Sequence, residues 1–200
     1  MPGGRQAGTI GTVSDLRTYG GVDGDRRRAD RRAQLVGAGL ELLGTPGGDL
    51  TVRAACRGAG LATRYFYESF TDRDALAAAV YDAVVDEVAR AAAGAVDGAP
   101  GPHEARVRAG VEAIVGVVVD DPRKGRVLFG PAQAARHAET ARLFVRLFVE
   151  RRPDPDDLLG AFAVGGLARV LGSWTAGDLP VDRAHLVDRC TALLVAVQRG

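Results

Sequence analysis

Between Gly60 and Phe70 stands a run of side chains suited to contact with another molecule: Thr63, Arg64, Tyr65, Tyr67 and Glu68. Their hydroxyl, guanidinium and carboxylate groups can reach phosphates or base edges, and arginine to guanine is the commonest specific pairing of that kind. Chemistry of other kinds is scarce. His103, His137 and His185 are dispersed, and none has a His or Cys partner three or four residues on. No metal site is therefore expected, and no catalytic constellation. The acidic pairs Asp120-Asp121 and Asp156-Asp157 read as helix caps and first-turn acids. Gly165-Gly166 reads as close helix packing, and no glycine-rich phosphate loop follows a strand, so no cofactor is expected. Cys56 and Cys190 lie far apart and read as small buried residues in a reducing compartment.

The elements that must hold the reactive run are legible around it. Val52, Ala55, Cys56 and Ala59 fall at i, i+3, i+4 and i+7, one face of a helix. Thr51 is placed to cap that helix, and Gly60 to end it in a left-handed turn. A second short helix follows over 63–69, with Phe66 and Phe70 facing inward. Two short helices about a glycine turn make a helix-turn-helix, whose second helix lies in the DNA major groove. Ala62 cannot cap the second helix through a side chain, so Thr63 is expected to do so, moving the start by one residue. Thr71 and Asp74 read as a capping box for the helix after it.

At the same spacing, Thr51-Val52, Ala55-Cys56, Ala59-Gly60-Leu61, Tyr67, Phe70, Arg73 and Leu76 resemble the signature of the tetracycline-repressor (TetR) family of transcriptional regulators. That pattern reads Thr-Val, Ile-Ala, Ala-Gly-Val, Tyr, Phe, Lys and Leu. This chain departs from it at Ala55-Cys56, at Ala62 in place of a usual Ser, and at Arg73 in place of Lys. The resemblance implies a homodimeric repressor released from double-stranded operator DNA by a small-molecule effector. Thr51, Tyr67 and Arg73 would hold phosphates, with Thr63 beside them, while Arg64 and Tyr65 would read bases. It also implies a helical body that encloses the effector and dimerises through its last two helices.

Helical periodicities along the chain predict an all-α fold of about nine helices, which the resemblance makes a regulator. The 200 residues are 46% hydrophobic, enough for a substantial core, and the formal net charge is +1. Positive charge is local: residues 26–73 hold nine arginines against five acids, a net of four positive charges. A flexible arm is expected over 1–24, a DNA-binding domain over 25–75 with its helix-turn-helix about 51–70, and an effector-binding and dimerisation domain over 76–200. The first helix should start near residue 25, which puts Arg26 to Arg28 and Arg31-Arg32 in its opening turns, against the helix dipole. A later helix should run from 73 to about 93, and further helices over 103–119, 122–130 and about 140–152. Helices over 156–175 and 182–198 close the chain. The 156–175 stretch is apolar nearly all round and approaches membrane-spanning length, but Arg169 and its glycines favour a helix buried on more than one face. With no apolar leader at the N-terminus, a cytoplasmic protein without membrane contact is expected. Phe129, Phe144, Phe148, Phe162 and Trp174 fall on the helices that would enclose an effector. The competing reading is an all-α small-molecule-binding or enzymatic bundle in which the helix-turn-helix is only structural.

Overall fold

Leu35, Val36, Gly39, Leu42 and Leu43 form one stripe on a helix, and that stripe is the seam along which the chain assembles. The computed structural model describes residues 14–130 and 157–199. Among them are eight helices and no strand: α1 (Ser14–Gly44), α2 (Val52–Ala59), α3 (Thr63–Tyr67), α4 (Arg73–Gly98), α5 (His103–Asp120), α6 (Pro122–Phe129), α7 (Asp157–Thr175) and α8 (Arg183–Arg199). The helix expected over about 140–152, with Phe144 and Phe148, lies outside the described residues, as does His137.

Two starts differ from expectation. α1 begins at Ser14 rather than near residue 25, so the arm expected over 1–24 is helical from 14 onward. Once the amphipathic turns after Arg31 exist, each residue added upstream gains a hydrogen bond without a new nucleus. The arginines at 26–32 consequently sit inside α1, away from the positive end of its dipole. α4 is capped by Asp72, whose carboxylate accepts from the Ala75 amide at 2.8 Å, and not by Thr71. An ionised cap is favoured over a hydroxyl at the positive end of a helix. The same helix runs on to Gly98, past the stop expected at Gly94, because Ala92 is buried and Val96 lies against α5 where Gly110 leaves room.

One core joins α1, α2, α3 and α4 to α5 and α6. Leu35, Ala55, Phe66, Leu76 and Val80 have no exposed surface, and the cluster continues through Val84, Val88, Val118 and Val127. The DNA-binding and effector-binding units expected to part near residue 75 therefore share apolar packing. Gly39 makes this possible: a Cβ there would stand 2.6 Å from Val80 Cγ2, so α1 and α4 cross at glycine contact. A second cluster, Val111, Val115, Leu171, Leu186, Val187 and Cys190, ties α5 to α7 and α8. Arg108 on α5 adds ion pairs to Glu112 at 3.0 Å and to Asp188 of α8 at 2.6 Å.

α7 departs most from expectation. Only 11% of Leu158–Thr175 is buried within the chain, with Leu158 80% and Phe162 68% exposed. By length and composition this helix could cross a membrane. A helix expected to be buried on more than one face thus has one face covered by its own chain, at Leu171 and partly at Leu167 and Val170.

Phe66 anchors the shortest helix to the core. Phe66→Ala should lower unfolding free energy by about 3–5 kcal/mol, the usual range for a buried Phe, as read by urea denaturation.

Candidate nucleic-acid interface

α2 and α3 owe their shape to their turns. Thr51 Oγ1 accepts from the Ala54 amide at 3.1 Å, capping α2 as expected. At its other end Gly60 takes φ 66°, and the amides of Gly60 and Leu61 return to the carbonyls of Arg57 and Cys56 at 3.2 and 2.9 Å. This paired closure needs a left-handed residue, and glycine supplies it without strain. Ala55 and Cys56 face the core while Arg53 and Arg57 point outward.

α3 starts at Thr63 with Ala62 in the cap position and no side-chain cap bond. The expected shift to a Thr63 cap does not occur. Burial of Phe66 and Phe70, whose ring centroids are 5.7 Å apart, holds the short helix in place of a cap. At about 100° per residue, Thr63, Tyr67, Arg64 and Glu68 then follow one another around one arc, and all four are exposed. Tyr67 is 61% exposed with its ring edge-on to Phe66 at 5.4 Å.

Arg31 and Arg32, expected in the opening turns of the first helix, are the residues that fix this arc. The Arg31 guanidinium lies 4.6 Å from the Tyr65 ring centroid and pairs with Glu68 at 3.0 Å. Arg32 lies 4.2 Å from the Phe70 ring centroid and donates to the Ser69 carbonyl at 2.9 Å. Consecutive residues of α1 thus grip both α3 and the chain that leaves it. Their sequence signal was present but ambiguous, since a basic pair on a helix is more often a solvated face.

Tyr65, expected beside Arg64 as a base reader, lies between two guanidiniums. It is half-buried, a second guanidinium from Arg64 lies 4.6 Å from its ring, and its hydroxyl accepts from Arg64 Nη2 at 2.7 Å. Arg64 itself is exposed, as is Arg73 at the start of α4, where it stands 3.6 Å from Asp74. Thr51 is half-buried, with its hydroxyl proton free to donate because its oxygen serves as the cap acceptor. Arg53 and Arg57, absent from the expected contact set, have no acidic partner among the described residues. Their signal was the helical spacing itself, which sets them opposite Ala55 and Cys56.

The aromatic set divides. Phe129 and Trp174 line a cleft of about 670 Å³ that also includes Leu43, Pro46, Val118 and Arg126, between the end of α1, α6 and α7. Phe162 is on the exposed face of α7 and is no part of that cleft, because helical phase turns it away from the packed Leu171. Asp121 caps α6 by accepting from the Arg123 amide at 3.1 Å. Hydrogen bonding from the Arg123 side chain holds the Asp121 carboxyl below its ordinary pKa, and the Arg123 amide bond acts the same way. Arg123 also pairs with Glu41 of α1, and Lys124 with Glu87 of α4 at 2.7 Å. Among the described residues no three His, Cys, Asp or Glu side chains are grouped as a metal site.

No protein-family model matches the chain, and no curated protein matches it in sequence. Solved structures do match. A putative transcriptional regulator from Pseudomonas aeruginosa PAO1 is similar with TM-score 0.63 and 25% identity, over 86% of this chain and 92% of that one. A TetR family transcription regulator from Marinobacter aquaeolei VT8 has TM-score 0.61 and 18% identity, covering 86% and 97%. The fatty acid degradation regulator FadR from Bacillus halodurans has TM-score 0.65 and 16% identity, covering 82% and 94%.

The cap and the arc separate stability from contact. Thr51→Ala should cost about 1 kcal/mol, whereas Tyr67→Ala should change stability by less than about 0.5 kcal/mol, both read by thermal denaturation.

Proposed function

We propose that this chain, which has the fold of TetR-family regulators, is a sequence-specific DNA-binding transcriptional regulator that acts as a homodimer. The carrying observation is the α3 arc: Thr63, Arg64, Tyr67 and Glu68 are presented outward by buried Phe66 and Phe70 and held from behind by Arg31 and Arg32. Around the arc, Thr51, Arg53, Arg57 and Arg73 supply exposed or half-exposed donors at positions where a duplex backbone would pass. Arg64 reads base edges, Tyr67, Thr51 and Arg73 hold phosphates, and Tyr65 orients Arg64.

Exposed apolar surface on α7 and α8 supports dimerisation. Leu158, Phe162 and Leu193 are exposed, and α7 leaves open space at Gly165 and Gly166 where a second helix can approach closely. A second copy covers these residues better than lipid does, since Arg169 within α7 would cost about 2.5–3.5 kcal/mol at a bilayer centre. The paired α3 helices then enter successive major grooves of a palindrome, about 34–36 Å apart or an adjusted multiple. A cytoplasmic location accords with access to that DNA. The protein acts as a repressor, released when a small effector enters the cleft beside Phe129 and Trp174 and favours a form whose heads no longer fit the operator.

Selection of duplexes from a random pool by the full-length protein at moderate salt tests this reading. A palindromic motif is expected, with binding that weakens steeply as salt rises. Recovery of no motif would overturn it and favour an all-α small-molecule-binding or enzymatic bundle with a structural helix-turn-helix.

A further inference from the structure

We propose that the cleft between the end of α1, α6 and α7 binds an organic acid with an apolar body, its carboxylate paired with Arg126. The inference deepens the effector assignment above and rests on it. Leu43, Val118, Phe129 and Trp174 make the walls apolar, and among the described residues Arg126 is the one charged side chain in the lining. The neighbouring cations of α6 are already neutralised, Arg123 by Asp121 and Glu41, and Lys124 by Glu87. Arg126 differs. It donates through Nη1 to the Gly44 carbonyl at 2.8 Å and has no carboxylate partner among the described residues.

Arg126 is exposed at the mouth of the cleft, and its guanidinium carries five N–H donors in a planar fork, so one carbonyl leaves most of that capacity open to a ligand. The carboxylate is the group whose two oxygens match the fork. A cation would be repelled there. A neutral ligand would bury the guanidinium without a counter-charge, and a multiply charged anion would bring excess charge against apolar walls, both unfavourable. A single carboxylate on an apolar body answers both the charge and the lining.

The partner that Arg126 now holds gives binding a route to the head. Gly44 ends α1, where the helix dipole is negative and a cation is stabilising. Thr45, Pro46 and Gly48, which lead from α1 toward α2, line the same cleft. A carboxylate that draws Arg126 from the Gly44 carbonyl therefore loosens the end of the helix that carries Arg31 and Arg32, about 18 Å upstream at 1.5 Å per residue.

Trp174 is the chain's single tryptophan, and its indole lines the cleft while donating to the Val181 carbonyl at 2.9 Å. Its emission reports the site without any DNA. The full-length protein is titrated with phenylbutyrate and, separately, with phenylbutanol, which has the same apolar body without the charge. The acid is expected to give a saturable change in Trp174 emission at a concentration about tenfold or more below the alcohol. Arg126→Gln should remove that preference while leaving alcohol binding in place, with a somewhat lower thermal midpoint from loss of the bond to the Gly44 carbonyl. Equal binding of acid and alcohol by the unaltered protein would overturn the proposal. So would the lack of a saturable response to either probe, or a preference that survives in Arg126→Gln. If that variant does not fold, the contrast between acid and alcohol in the unaltered protein decides. Loss of duplex selectivity would sink the regulator reading and leave this result standing, so the two failures are seen separately.

Discussion

A five-residue helix has no stability of its own, because so few hydrogen bonds cannot offset the fixing of its backbone. α3 exists because its surroundings impose it. Phe66 and Phe70 draw one side into the core, and Arg31 and Arg32 grip the flank and the exit with two ring contacts, an ion pair and a hydrogen bond to a carbonyl. Each contact with an exposed partner is worth little alone, about 0.5–1 kcal/mol for a cation over a ring. Together they leave α3 one direction relative to α1.

That places α1 at the centre of the molecule's working parts. Its middle holds the α3 arc, Gly39 lets it lie against α4 at Val80, and its end is fastened to α6 by Glu41 and the Gly44 carbonyl. The core that starts around Phe66 continues without interruption to Val118 and Val127. The helices on either side of residue 75 therefore share one continuous apolar packing.

Local signals were legible in the sequence, and tertiary ones were not. Thr51, Gly60 and the Asp121-Pro122 start of α6 act through neighbours within a turn, and all three appear where their residue types place them. The cap of α3 was misread because capping was assumed to hold a helix that packing holds. α4 outran Gly94 because α5 supports its last turns, which no local pattern encodes. The grip of Arg31 and Arg32 spans 37 residues, and a run of arginines does not announce which of its members will find a ring. Phe162 carried the right composition for a pocket and the wrong helical phase. Arg126 was passed over because its significance lies in what its neighbours on α6 are already bonded to.

The central claim is that Arg31 and Arg32 orient α3, the proposed recognition helix, and do not merely add charge. The measurement that tests it most directly is the ratio of affinities for a selected duplex and a random one, compared between the unaltered protein and an Arg31→Met, Arg32→Met variant at matched salt. The account predicts a variant that still folds and still binds DNA in a salt-sensitive way, with that ratio reduced about tenfold or more, since each lost base contact is worth about 1–3 kcal/mol. An unchanged ratio, with both affinities lowered equally, would show the two arginines to be phosphate-binding charge alone and would contradict it.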